Sequence, residues 1–228
     1  MTYLNNLVAQ GNSWAMSQLK SYNVFVDEDG KVYSNADVWA ARQKKSNNTT
    51  GTGGALNVDF DSQLDSKYAK VKQSGCAITS ASMIFNFFGA NTGHDALFKA
   101  QNNSVIAGWS TLDDKCGLDL SLTDSGSGKY ISQQDVLLTT TQSLNNGVPV
   151  ITRIRYYDSA DENYKTHFIV IYGISNSGEY LVRDPGRSSS AYNGYSEYFL
   201  QDALDYINSG QGHSKAVLDR YLIYRNRN

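Results

Sequence analysis

The chain has 228 residues, with 20 Lys+Arg against 22 Asp+Glu and a net charge of -2. That length is enough for one large domain, or a domain with an extension, and the balance of charge advertises no basic face for nucleic acid. No apolar stretch nears the roughly 18 residues of a membrane span, and Met1–Gln10 lacks the basic flank and apolar centre of a secretory signal. Sixteen Tyr and only 2 Pro, among many Asn, Ser and Gly, favour strands and turns and incline to an exported or wall-facing protein.

In chain order, apolar residues at Leu4, Leu7, Val8, Trp14, Ala15 and Leu19 recur at helical spacing, interrupted by Gly11. Residues 23–33 read as a hairpin around Asp29-Gly30. Asp27, Asp29 and Gly30 hint at a calcium loop, but its first and last ligands are missing, so a plain turn is the better reading. Residues 35–45 suit a short helix. Residues 46–54 (SNNTTGTGG) have linker composition, and the domain division is set there: 1–55 extension and linker, 56–228 main domain.

In the main domain, Val58–Gln63 alternates like a short strand. Cys76–Phe88 is apolar almost all round, a buried helix with Gly89 as its terminator. Leu112–Tyr130 reads as polar loop. Ser132–Leu144 reads as a helix capped by Ser132 with Asp135 in its first turn. Strands follow at 147–157, 167–174 and 179–183, then a short helix at 198–208 and a strand or helix at 216–224. The run 125–129 (SGSGK) resembles a phosphate loop only superficially, without the spacing or the preceding strand.

Three residues carry chemistry. Cys76 stands behind Gly75 at a helix start, with Ser74 as the expected N-cap. There the helix dipole and free N–H groups favour a thiolate. Cys116 is the only other cysteine; the two are expected to be thiols and not a disulfide. His167 opens an apolar strand and Asp184 closes the next one, with Ser175–Gly178 as the turn between. A turn of two or four residues puts both side chains on one sheet face; a turn of three would separate them. The two remaining histidines, His94 and His213, read as exposed loop residues. Three His without paired spacing argue against zinc, and no cofactor is expected. Trp109, Tyr156, Tyr157 and Tyr164 are candidates for lining a groove.

Five ordered blocks extend this reading: Gln63-Leu64-Asp65; Gly75-Cys76 with Thr79, Ser80 and Met83; Gly147-Val148-Pro149-Val150; His167 through Gly173; and Val182-Arg183-Asp184-Pro185-Gly186. Over about residues 59–187 the chain resembles the C39-like cysteine peptidases, a papain-like family. The resemblance implies an α+β fold, with a buried catalytic helix packed on an antiparallel sheet. It implies Cys76 as nucleophile, His167 as base, Asp184 as its orienter and Gln63 as oxyanion donor, with Gln73 a rival for that last role. Ala77 and Ile78 stand where such peptidases often have Gly and Pro. The expected activity is hydrolysis of a peptide or amide bond. A bacterial or phage cell-wall endopeptidase or amidase, released by lysis or carried on a virion, is the leading substrate reading. Leader-peptide or toxin-type proteolysis, and a non-catalytic binding module on the same fold, are the alternatives.

Overall fold

The computed structural model describes residues 24–26, 32–34, 54–106, 108–126, 131–175, 178–188 and 198–227. The chain divides into two units, Met1–Gly53 and Gly54–Asn228, each described by itself. In the first, β1 (Val24–Val26) pairs antiparallel with β2 (Val32–Ser34), Val26 opposite Val32. The expected Asp29-Gly30 turn and calcium-like loop, the helices proposed on either side, and the linker up to Gly53 lie outside the described residues.

The second unit mixes helices with one antiparallel sheet. Its helices are α1 (Ala69–Ser74), α2 (Cys76–Phe87), α3 (His94–Ala100), α4 (Gln133–Asn145) and α5 (Leu200–Asn208). Its strands are β3 (Leu120–Asp124), β4 (Val150–Asp158), β5 (Asn163–Ile174), β6 (Tyr180–Arg183) and β7 (His213–Asn226). They lie in the order β3-β7-β4-β5-β6. Strand alternation gives the sheet two apolar faces. Ile151, Val170, Leu181 and Leu222 pack with Ala81, Met83, Ile84 and Phe85 of α2. Ile154, Ile169, Ile171 and Val182 pack with Val136 of α4 and with Leu200, Ala203, Leu204 and Ile207 of α5.

The α2 segment is helical because no Gly or Pro interrupts it and its apolar side chains pack into the core; Ala77 to Phe85 are all buried. It ends where Gly89 takes φ +92°. The Gly89 N–H bonds to Asn86 O and the Ala90 N–H to Phe85 O, which closes the last carbonyls in the Schellman manner. Helix α4 starts as its sequence suggests, with the Ser132 hydroxyl accepting the Asp135 N–H at 3.1 Å.

Four expectations are corrected. Val58–Gln63 forms no strand. Its alternation is real, with Val58 buried between exposed Asn57 and Asp59, but the segment forms no ladder with any strand. It is held by single bonds such as Leu56 N–H to Tyr172 O and Arg183 Nε to Val58 O. The reading of 112–130 as loop misses β3, a short edge strand whose five residues alternate poorly. Ser74 does not cap α2: it is the last residue of α1, and Gly75 serves as the C-cap of α1 and the N-cap of α2. The turn between β5 and β6 counts three residues, not two or four, since Ser175 N–H bonds to Glu179 O.

Gly75 is required by space. A Cβ there would lie 2.5 Å from both the Val71 carbonyl oxygen and Val71 Cγ1. The two helices can meet at this angle only because residue 75 has no side chain. Gly75→Ala should therefore destabilise the domain by about 1–3 kcal/mol, the usual cost of an overpacked site. Denaturant unfolding checks this; an unchanged midpoint would show that the junction yields freely.

Candidate active site

Cys76 and Asp184 are set by the ends of elements, whereas His167, expected to open its strand, is the fifth residue of β5 because the polar stretch before it also pairs with β4. Cys76 is the first residue of α2, where backbone N–H groups lack partners within the helix. His167 lies on β5 opposite Ile154 of β4. Asp184 follows the last residue of β6. The three-residue turn alone would place His167 and Asp184 on opposite faces, because Ile174 pairs with Tyr180 and Gly173 with Leu181. A β-bulge intervenes. Beyond it Ile171 pairs with Val182 and Val170 with Arg183, one residue out of step with the pairs at the turn. The shift restores the parity. His167, Ile169 and Ile171 then share a face with Val182 and Asp184.

The result is a bond of 2.6 Å between His167 Nε2 and Asp184 Oδ1. Asp184 is 1% exposed, and the same oxygen accepts the Gly186 N–H at 2.8 Å. Gly186 passes close over the ring; a Cβ on it would lie 3.1 Å from His167 Cε1. The Cys76 thiol lies within electrostatic reach of the His167 side chain, and with Nε2 engaged by Asp184 the nitrogen left for it is Nδ1.

The electrostatics follow from that order. Burial opposes charge on all three groups. For His167 it is outweighed by the Asp184 charge and hydrogen bond and then by Cys76, which together hold the imidazolium well above the ordinary histidine value. Burial of Cys76 is outweighed by the hydrogen bond and charge of His167 and by backbone bonds from Phe168 and Ala77, so its thiol falls below the ordinary value. Burial of Asp184 is outweighed by His167, by the Gly186 N–H and by the Arg187 charge, and its carboxyl is lowered too. A thiolate and an imidazolium are thus favoured together. Cys116 behaves oppositely: burial and the Asp113 charge raise its thiol. Both cysteines are free.

Gln63 sits in a 3₁₀ turn, Gln63–Asp65, and is 7% exposed. Its Nε2 donates to Lys72 O at 2.9 Å, which fixes the amide's orientation and leaves the second N–H of Nε2 for another acceptor. Its Oε1 is buried with no partner among the described residues. Gln73, the rival, is exposed on α1. Both glutamines line one groove of about 1000 Å³ together with Cys76, His167 and Asp184. Of the proposed aromatics, Trp109, Tyr156 and Tyr164 line the groove; Tyr157 does not, and packs edge-on against Tyr164 at 5.4 Å.

Both remaining histidines are corrected. His213 begins β7, lies against the Tyr156 ring at 4.7 Å and lines the groove. His94 is buried as the first residue of α3, with Nδ1 2.8 Å from both oxygens of Asp61. Nothing near His94 in the sequence signals this, because its partner is 33 positions away. Val105 and Ile106 of the groove were also missed; Ile106 is 81% exposed in a loop that carries no periodic pattern. Among the described residues no cluster of His, Cys, Asp and Glu could hold a metal, and no helix is long and apolar enough to cross a membrane.

With Cys116→Ser to leave one thiol, alkylation of Cys76 by iodoacetamide should rise with pH along a limb lying below the ordinary thiol value, as the lowered Cys76 value requires. His167→Ala should move that limb upward, because burial then acts unopposed. An identical pH–rate limb in both proteins would show that the imidazole does not set the thiol's acidity.

Residues 55–212 match the family model described as the Peptidase_C39 like family. The match covers the segment bearing Gln63, both helices around Gly75, the strands of His167 and Asp184, and α5. No curated protein matches the chain. With more than half its length inside this match, the chain belongs to the Peptidase_C39 like family.

Proposed function

We propose that the chain is a cysteine peptidase of papain-like architecture, with α2 as its catalytic helix and Cys76, His167 and Asp184 as its triad. The observation that carries this is the bond between His167 Nε2 and the buried Asp184 carboxylate, beside a Cys76 thiol that the imidazole holds below its ordinary value. Family membership supports peptide hydrolysis as the reaction class.

In the mechanism, the Cys76 thiolate attacks the carbonyl carbon of the scissile amide and an S–C bond forms. The carbonyl oxygen becomes an oxyanion beside the Cys76 backbone N–H and the free N–H of Gln63 Nε2. Gln63 is preferred over Gln73 because it is buried and its amide is oriented by Lys72 O. The intermediate collapses as the C–N bond breaks, and His167 Nδ1 gives its proton to the leaving amine. The neutral imidazole then takes a proton from water, whose oxygen attacks the thioester. Cys76 leaves as thiolate and His167 is again protonated. Asp184 keeps the ring oriented and its charge compensated throughout. None of these steps calls on a cofactor.

The substrate we favour is a peptide of the bacterial cell wall, hydrolysed by an enzyme of bacterial or phage origin that reaches the wall after release or on a virion. A groove of about 1000 Å³ edged by Trp109, Tyr156 and Tyr164 has room for a chain-like substrate. Incubation with purified cell wall and with casein, read by mass spectrometry, tests this. New peptide termini from the wall and none from casein are expected; the reverse would place the enzyme among general proteases.

Cys76→Ala should fold normally and abolish cleavage; a retained wild-type rate would end the thiol-peptidase reading. Asp184→Asn should keep the bond to His167 but remove the charge that holds the ring cationic, so the thiolate fraction and kcat should fall by orders of magnitude. A drop of less than about tenfold would remove Asp184 from the triad.

A further inference from the structure

The turn that carries Gln63 is a single 3₁₀ turn of three residues and cannot hold its own position. It is fastened from outside at both ends, and both fastenings converge on one ring. At the start of the segment, the Asp61 carboxylate meets His94 Nδ1 at 2.8 Å from each oxygen and accepts the Ser82 hydroxyl of α2 at 2.7 Å. At its end, the Ser66 hydroxyl donates to Asp95 Oδ1 and the Lys67 N–H to Asp95 Oδ2 at 3.3 Å. Asp95 Oδ1 lies 3.4 Å from His94 Nε2. Between these ends, Gln63 N–H bonds to Pro185 O at 3.0 Å and Ser62 Oγ to Arg187 O at 2.6 Å, both in the loop after Asp184.

We propose that His94 is the positioning residue of the oxyanion side of the site: its ring, bridging Asp61 and Asp95, fixes both ends of the turn that presents Gln63. This rests on the reading of Gln63 as oxyanion donor. The ring hydrogen-bonds Asp61 through Nδ1 and faces the Asp95 charge at Nε2, and two carboxylates on opposite sides favour the cation. The groups facing it agree with that state: the bond and charge of Asp61, then the charges of Asp95 and Asp65, outweigh burial and raise His94 above its ordinary value. Asp61 is lowered in turn, burial being outweighed by the bonds from His94 and Ser82. A buried ion pair is a poor way to gain stability, since desolvation offsets most of the attraction. It is a good way to fix geometry, and an oxyanion donor must sit within a few tenths of an ångström.

The test uses the full chain and two probes of Cys76. Iodoacetamide alkylation reports the thiolate and needs no oxyanion donor; acylation by p-nitrophenyl acetate passes through an oxyanion. His94→Gln can donate to one carboxylate but cannot bridge both. It should slow acylation by about tenfold, the scale of a small misplacement, and leave alkylation within about twofold. In a Gln63→Ala background, His94→Gln should change acylation by less than about twofold, since the two residues act in series. Equal losses in both backgrounds, or alkylation falling in parallel with acylation, would reduce His94 to ordinary support of the fold and overturn the proposal. If His94→Gln loses cooperative melting, Ser82→Ala, which removes one bond to Asp61, takes its place with the same pattern expected at smaller amplitude. Wild-type acylation in Gln63→Ala alone would instead sink the oxyanion role of Gln63 and this proposal with it, leaving the triad standing. Acylation persisting in Cys76→Ala would sink the thiol reading itself.

Discussion

Everything at this site depends on one short bond between a half-buried imidazole and a buried carboxylate, His167 Nε2 and Asp184 Oδ1. An imidazole at this depth would ordinarily be neutral, and a carboxylate at 1% exposure would ordinarily take a proton. Brought together they stabilise each other's charge, and the cation so held lets the thiol next to it ionise. Take away the carboxylate and the ring loses its proton; the thiolate then faces burial alone. The helix start contributes unpaired N–H groups, but the sign of the whole balance is set by the carboxylate.

The bond in turn depends on how strands count. Two side chains separated by a hairpin touch only if the residues between them have the right parity. The turn from Ser175 to Glu179 has the wrong parity, and the bulge between Ile171 and Gly173 corrects it. The conclusion from sequence that His167 and Asp184 share a face is borne out by the register, while the turn length it assumed is not. Two departures, one at the turn and one in the strand, cancel. A β-bulge leaves little trace in a sequence, since Tyr172-Gly173 reads as an ordinary end to an apolar strand.

What was legible elsewhere follows the same division between local and distant causes. Helix α2 was readable because an unbroken apolar run followed by Gly89 is a local pattern, and α4 because its cap and first-turn acid are three residues apart. The strands of His167 and Asp184 were readable as apolar runs bounded by turn residues. The segment around Gln63 was misread as a strand because alternation records which side chains are buried and not what the backbone bonds to. His94 was misread because its neighbours Asn91, Thr92 and Gly93 look like a surface loop, whereas its burial is decided by Asp61 across the fold. The groove wall at Val105 and Ile106 had no pattern to read at all.

The bulge has an evolutionary corollary. Insertions beyond the Ser175–Glu179 pair can be absorbed by the loop, since the strands behind it keep their partners. A single deletion at the bulge would only regularise the hairpin, since Ile171 would keep Val182 as its partner. A single deletion between Phe168 and Ile171 cannot be absorbed: it would leave a well-paired hairpin with His167 on the face opposite Asp184. Length variation in descendants of this chain should therefore be common from the bulge to the turn and purged between the bulge and His167.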